Sequence, residues 1–177
     1  MRDLTTDGPV LRRLPEAGAV SLRAGLDDPV VAAALTDLGA PVPGPRGVVV
    51  AEERTVLWMA SDELLILCDR AEQHALAARL GEALADVHHL ALPVGDMRVR
   101  FVIDGPGSQV ALARLLPLDF VRLKHGEVRR THLLQIACAV WRRGSDGFEV
   151  MCFRSVADYA ETALATASRH AGGVSLP

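Results

Sequence analysis

Aromatic side chains are scarce in this sequence: Phe, Trp and Tyr together make up 4% of 177 residues, against an apolar share of 50%. Ala, Val and Leu must therefore fill whatever core forms. Lysine is nearly absent. Of 19 basic residues only Lys124 is Lys, a skew that reflects codon usage in a GC-rich genome. The basic pairs Arg12–Arg13, Arg129–Arg130 and Arg142–Arg143 stand apart from one another. Nothing forms the basic block that nucleic acid or an anionic membrane requires, and the net charge is −3. No apolar run approaches a membrane span, and the opening MRDLTTDGPVLRR has no apolar signal core. Cysteine is limited to Cys68, Cys138 and Cys152, without metal-ligand spacing and each inside an apolar run. They read as buried free thiols in a reducing compartment, the cytoplasm.

What remains is enough chain for one ordinary domain, or two small lobes, with a sizeable core. A mean hydropathy of +0.22 has two readings: apolar surface kept for a partner, or a core inflated by alanine. An isolated copy with such surface uncovered is open to self-association.

The most informative stretch is Thr131–Tyr159. Apolar runs Leu133–Trp141 and Phe148–Phe153 flank the connection Arg142–Gly147, whose Gly144, Asp146 and Gly147 tolerate a tight reversal. This predicts a β-hairpin. A helix follows, with Ser155 as its cap and Asp158 in its first turn. Val156, Tyr159, Ala160, Ala163, Leu164 and Ala167 recur on one helical face.

Upstream, residues 1–20 read as an extended arm, loose or laid across a partner. Asp28-Pro29 opens a helix with Val31, Ala34, Leu35 and Leu38 on one face and Gly39 at its end. The segment 40–47, rich in Pro and Gly, is a rigid connector. Three strands follow, Val48–Ala51, Thr55–Ala60 and Glu63–Cys68. Asp69, with Glu72 as reciprocal partner, caps a helix carrying Leu76, Leu80 and Leu84. Val87–Val94 and Met97–Ile103 are further strands. Asp104-Gly105-Pro106-Gly107 turns into a short helix reaching about Leu116, and residues 171–177 form a frayed tail. Strand runs adjacent in sequence predict an α+β fold of antiparallel sheets with helices on one side. We place a single domain over 21–170, with lobes at about 21–94 and 95–170. The order of elements allows two similar halves, although the sequence shows no clear repeat.

No catalytic, cofactor-binding or metal residue is assigned. The Asp104–Gly107 turn lacks the Lys and Ser/Thr of a phosphate loop. His88 and His89 point to opposite faces of a strand and cannot share a metal. His125 and His132 are separated by a turn, His74 lies near a helix start, and His170 lies in the tail. Carboxylate pairs Asp27-Asp28 and Glu52-Glu53 sit in turns, where charge is solvated rather than tuned for acid–base work. Trp58 and Trp141 read as core or interface anchors.

A set of short segments carries a family resemblance: Ser21-Leu22-Arg23, Leu57-Trp58-Met59, Ser61-Asp62-Glu63-Leu64-Leu65, Asp104-Gly105-Pro106-Gly107, Leu116-Pro117-Leu118-Asp119-Phe120, Arg130-Thr131-His132-Leu133, Gly147-Phe148-Glu149-Val150, and Arg154 through Tyr159. In order and spacing the chain resembles the gamma subunit of heterotetrameric sarcosine oxidase over roughly residues 20 to 165. It departs from that pattern at Leu64, where the family often has tryptophan, and at Leu115-Leu116, where it has Gly-Cys. The resemblance implies two ferredoxin-like halves, similar to the folate-binding domain of the aminomethyltransferases. It also implies a non-catalytic subunit packed against an alpha subunit, in a complex with beta and delta subunits. That complex demethylates sarcosine oxidatively to glycine. FAD, FMN, NAD and tetrahydrofolate would sit in the partners, none in this chain. Two other readings are a stand-alone folate-dependent one-carbon transferase, with Asp104 as the nearest carboxylate for a pterin, and a scaffold unrelated to amine oxidation.

Overall fold

The computed structural model describes residues 8–51 and 53–171. In chain order they form β1 (Val10–Arg13), β2 (Gly18–Ala24), α1 (Pro29–Asp37), β3 (Val48–Val50), β4 (Thr55–Ala60), β5 (Glu63–Cys68), α2 (Gln73–Ala83), β6 (His89–Pro93), β7 (Arg98–Asp104), α3 (Ser108–Ala113), β8 (Val128–Leu133), β9 (Ile136–Arg143), β10 (Gly147–Phe153) and α4 (Ala157–Arg169). The chain divides into two compact units: residues 16–97, and residues 98–177 together with 1–15.

In the unit spanning 16–97, an antiparallel sheet has the order β3-β4-β5-β2-β6. Alternation sends Val20, Leu22 and Ala24 of β2, and Leu64, Ile66 and Cys68 of β5, to one face. There they pack with Val31 and Leu35 of α1 and Leu76 and Leu80 of α2. Helix α1 starts where the sequence places it. Pro29 takes the first position, and the Asp28 carboxylate accepts the Val30 N–H at 2.8 Å. Gly39, at φ +65°, carries the chain out of the helix. The start of α2 differs from expectation. Asp69 accepts the Ala71 N–H at 2.8 Å and so closes a turn, and the helix begins only at Gln73 without a side-chain cap. Gln73 is buried, and its Oε1 accepts the N–H groups of Gly95 (3.0 Å) and Ala19 (3.4 Å). One amide thus joins the helix to the start of β2 and the turn before β7. Gly95 allows the close approach, since a Cβ there would lie 2.6 Å from both Gln73 Oε1 and the Ala17 carbonyl oxygen.

The other unit has an antiparallel sheet of order β1-β7-β10-β9-β8. Val99, Phe101 and Ile103 of β7 and Phe148, Val150 and Cys152 of β10 form its core with Val110 and Leu112 of α3 and Ala157, Ala160, Leu164 and Ala167 of α4. The Phe120 and Phe148 rings meet edge-to-face with centroids 5.3 Å apart.

Both units repeat one β-α-β-β-α-β ferredoxin-like plan, with an added edge strand, β3 in one and β8 in the other. In the 16–97 unit, the strand beside β2 is β6, which follows α2. In the other unit, the equivalent strand beside β7 is β1, supplied from the N-terminal end of the chain and paired from Val10↔Asp104 to Arg13↔Phe101. Residues 10–13, expected in an arm, therefore build a sheet edge, and Gly18–Val20 belong to β2. Ala171, expected in the frayed tail, is buried in the core; residues 1–7 of the arm and 172–177 of the tail lie outside the described residues, as does Glu52.

Two further expectations are corrected. The run Leu133–Trp141 is not one strand. β8 ends at Leu133, the chain reverses at Leu134-Gln135, and β9 begins at Ile136. Leu134 takes φ +54°, a conformation apolar side chains disfavour, which hid this turn in the sequence. Ser155 does not cap α4. It lies in a single 3-10 turn, Arg154–Val156, and neither that turn nor α4 has a side-chain cap.

The brace at Gln73 generates a prediction. Gln73→Leu keeps the bulk but leaves two buried N–H groups without their acceptor. We expect a loss of about 1–3 kcal/mol, read as a lower urea midpoint at unchanged denaturant slope.

Candidate functional site

The chemistry-bearing residues singled out from the sequence do not converge. Asp104 ends β7, where its carboxylate pairs with the Arg12 guanidinium. Gly147 abuts the same carboxylate across the β7–β10 ladder. The turn after it is closed by the Ser108 hydroxyl donating to the Gly105 carbonyl at 2.6 Å. Helix α3 has only six residues. The aspartate is thus a sheet-corner ion pair in a structural turn. His88 precedes β6, which starts at His89, and the His89 ring nitrogen Nδ1 lies 2.9 Å from the Val87 carbonyl. His74 lies on α2, His125 in a turn and His132 on the exposed side of β8. Asp28 is spent on capping α1, and Asp27 and Glu53 are exposed. Among the described residues no cluster of His, Cys, Asp or Glu could hold a metal. Trp58 packs on the helix-facing core of its sheet, and Trp141 is buried in β9.

The three cysteines are buried and unpaired. Burial pushes all three thiols up. For Cys68 the Glu72 carboxylate adds to the rise, and for Cys152 the Arg13 and Arg98 guanidiniums offset it in part. Cys138 is pushed up to about 12, by burial first and then by Cys152, its cross-strand neighbour. A thiol so far from ionisation at neutral pH is a poor nucleophile or metal ligand.

Sequence reasoning passed over Glu149. It is a lone acid in the otherwise apolar strand β10, which was the available signal. Glu149 is 5% exposed, with Arg100 Nη1 at 2.7 Å and Arg143 Nη1 at 3.6 Å. Burial raises its carboxyl pKa and the two guanidiniums pull it back only in part. Such a triad pins strands β7, β9 and β10 in register rather than poising a proton, because both cations are spent on one anion.

An open groove of about 400 Å³, built by several elements, lies in the unit containing 98–171. Its walls come from α4, the end of α3 and the β8–β9 turn, with Leu115, Leu134, Tyr159, Ala163 and Ala167 as the apolar lining. Tyr159, expected on the core face of its helix, is 50% exposed and stands on this wall. Several polar residues lining the groove bond back into the protein. Thr162 Oγ1 donates to the Asp158 carbonyl and Thr166 Oγ1 to the Thr162 carbonyl, each at 2.8 Å. His170 Nδ1 lies 2.7 Å from the Thr166 carbonyl, and Arg114 Nη1 donates to the His170 carbonyl at 2.9 Å. The groove thus offers apolar contact and little hydrogen bonding, which suits a protein segment better than a polar metabolite.

Fold and site together define an α+β protein of two ferredoxin-like units, one of which carries an open apolar groove beside α4. The family model of the sarcosine oxidase gamma subunit matches residues 23–170, and the chain belongs to that family. Among solved structures, the chain is similar to one of heterotetrameric sarcosine oxidase from Corynebacterium sp. U-96, in complex with pyrrole 2-carboxylate. The TM-score is 0.85 at 21% identity, over 97% of this chain and 89% of that one. The glycine cleavage system aminomethyltransferase T from Bartonella henselae gives 0.67 at 16% identity; 94% of this chain is covered, and it spans 48% of that protein. The regulatory subunit of aspartate kinase from Thermus thermophilus gives 0.51 at 13% identity, over 89% of this chain and 97% of that one. At these identities the likeness is one of fold. No curated protein sequence matches this one.

The Cys138 thiol makes stability depend on pH. The folded chain keeps it protonated up to about 12, while the unfolded chain ionises near 9.0. The group's contribution is therefore intact below pH 9 and is lost as pH climbs from 9 towards 12, at up to about 1.4 kcal/mol per pH unit. Urea midpoints should fall more steeply over that range in the wild type than in Cys138→Ala, which lacks the titrating group.

Proposed function

We propose that this chain is the gamma subunit of a cytoplasmic, heterotetrameric sarcosine oxidase complex, assembled with alpha, beta and delta subunits and packed against the alpha subunit. The complex demethylates sarcosine oxidatively to glycine. FAD, FMN, NAD and tetrahydrofolate are held by the partners, and this subunit contributes assembly rather than a reacting group. The family match over 23–170 carries the reading. It is supported by the local roles of several residues singled out from the sequence: Asp104 in an ion pair, Asp28 in a cap, and the cysteines buried as thiols. It is supported too by the absence of any described helix long and apolar enough to cross a membrane. A stand-alone folate enzyme would need a carboxylate and hydrogen-bonding groups facing a cavity. Asp104 is engaged by Arg12, and likeness of fold to an aminomethyltransferase carries no activity with it.

The test is affinity purification of the tagged chain from its native host, with mass spectrometry and an absorption spectrum of the eluate. The expected outcome is co-purification of the large subunits with a yellow flavin spectrum. A colourless chain, alone while the partner genes are expressed, would overturn the reading.

A further inference from the structure

The groove along α4 has features that a purely structural crevice does not need. Leu134 is held at φ +54°, at a cost of about 1–2 kcal/mol for a non-glycine residue. Its N–H is fixed by the Leu115 carbonyl at 2.8 Å, and its side chain remains 44% exposed at the groove rim. Tyr159 stands half-exposed on the wall, while Ala163 and Ala167 leave the α4 side low enough for another chain to approach closely. The charges along α4 are also treated unequally. At its N-terminal end Asp158 and Glu161 both face Arg13, at 3.6 and 3.3 Å. At its C-terminal end Arg114 and Arg169 donate only to the His170 carbonyl and the Thr166 hydroxyl, at 2.9 and 3.2 Å, and neither has a carboxylate partner among the described residues. An apolar trough that Arg114 lines, with Arg169 bonded to Thr166 on its wall and neither guanidinium met by an acid, calls for an apolar segment that brings its own carboxylate.

Resting on the subunit reading above, we propose that this groove is where the chain docks onto its large partner subunit, and that it receives an apolar helix of that subunit with a carboxylate beside Arg114 and Arg169. A helix laid antiparallel to α4 places its N-terminal turn, where acidic residues are favoured, at this basic end. A second copy of this chain fits less well. Packed antiparallel through α4, it would present Asp158 and Glu161, which Arg13 already engages. A polar cofactor fits less well again, because Thr162, Thr166 and His170 along the trough bond to their own backbone, which leaves the guanidiniums as its main polar contacts.

The decisive experiment co-expresses the whole complex with tagged variants of this chain. Ala163→Arg puts a charge into the groove, Arg114→Glu reverses the charge at its end, and Ala165→Arg makes the same change on α4 away from the groove. Thermal melts confirm that each variant is folded, and if Ala163→Arg does not fold, Arg114→Glu decides alone. The expected result is at least about a tenfold drop in large subunit retained by the groove variants, with Ala165→Arg retaining as much as the wild type. Full retention by the groove variants would overturn the proposal and leave the subunit reading standing. No retention by the wild type would overturn both. A wild-type homodimer that Ala163→Arg splits, with the complex unaffected, would assign the groove to a second copy and overturn the proposal.

Discussion

The close packing of α4 on its sheet is the contact on which the unit containing 98–171 depends. Its inward residues are Ala157, Ala160, Leu164 and Ala167, and opposite them stand Phe148, Val150 and Cys152. Alanine brings little apolar area of its own, so the helix must lie near enough for backbone and Cβ atoms to touch the strands. A sequence poor in aromatics leaves this route open and few others. The same geometry sets up the outer side of the helix. With Ala160 and Leu164 committed inward, Tyr159 and Ala163 are rotated onto the groove wall, and the small residues that let α4 approach the sheet leave a trough beside it. Ion pairs from Arg13 to Asp158 and Glu161 tie β1 to the same helix.

That tie matters because β1 is the strand that completes the unit. Each unit needs a strand beside its first one, and the chain supplies it by two routes: locally through β6, and from the far end of the sequence through β1. A four-residue segment, VLRR, with only Leu11 partly buried gives no alternating pattern, and its partner β7 lies about ninety positions away. Nothing local distinguishes it from a loose arm. Pairing and register, not propensity, make it a strand.

The misreadings elsewhere have the same origin. Leu134 turns the chain with a residue that turn chemistry would not choose, because the Leu115 carbonyl and the neighbouring strands hold it there. Asp69 and Ser155 have cap chemistry, yet the helices begin at Gln73 and Ala157, since a buried amide brace in one case and a 3-10 turn in the other decide where the first helical residue falls. Where the local signal and the packing agree, as at Asp28-Pro29 and Gly39, the sequence reading holds. Glu149 escaped notice because a carboxylate within a strand means little until its neighbours are known. Only the β7–β10–β9 ladder brings Arg100 and Arg143 to it.

By itself, then, the sequence determined the α+β class, the main strands and helices, the small-residue core and the family. These rest on composition, on alternation within a few residues, and on ordered segments that survive divergence. The family resemblance already implied two ferredoxin-like halves; tertiary structure alone decided that the N-terminal strand completes one of them. It alone turned Asp104 and Glu149 into ion-pair members and formed a groove beside α4. Each of these depends on groups brought together from distant positions, and a pairing across a fold leaves no periodic trace in the chain that makes it.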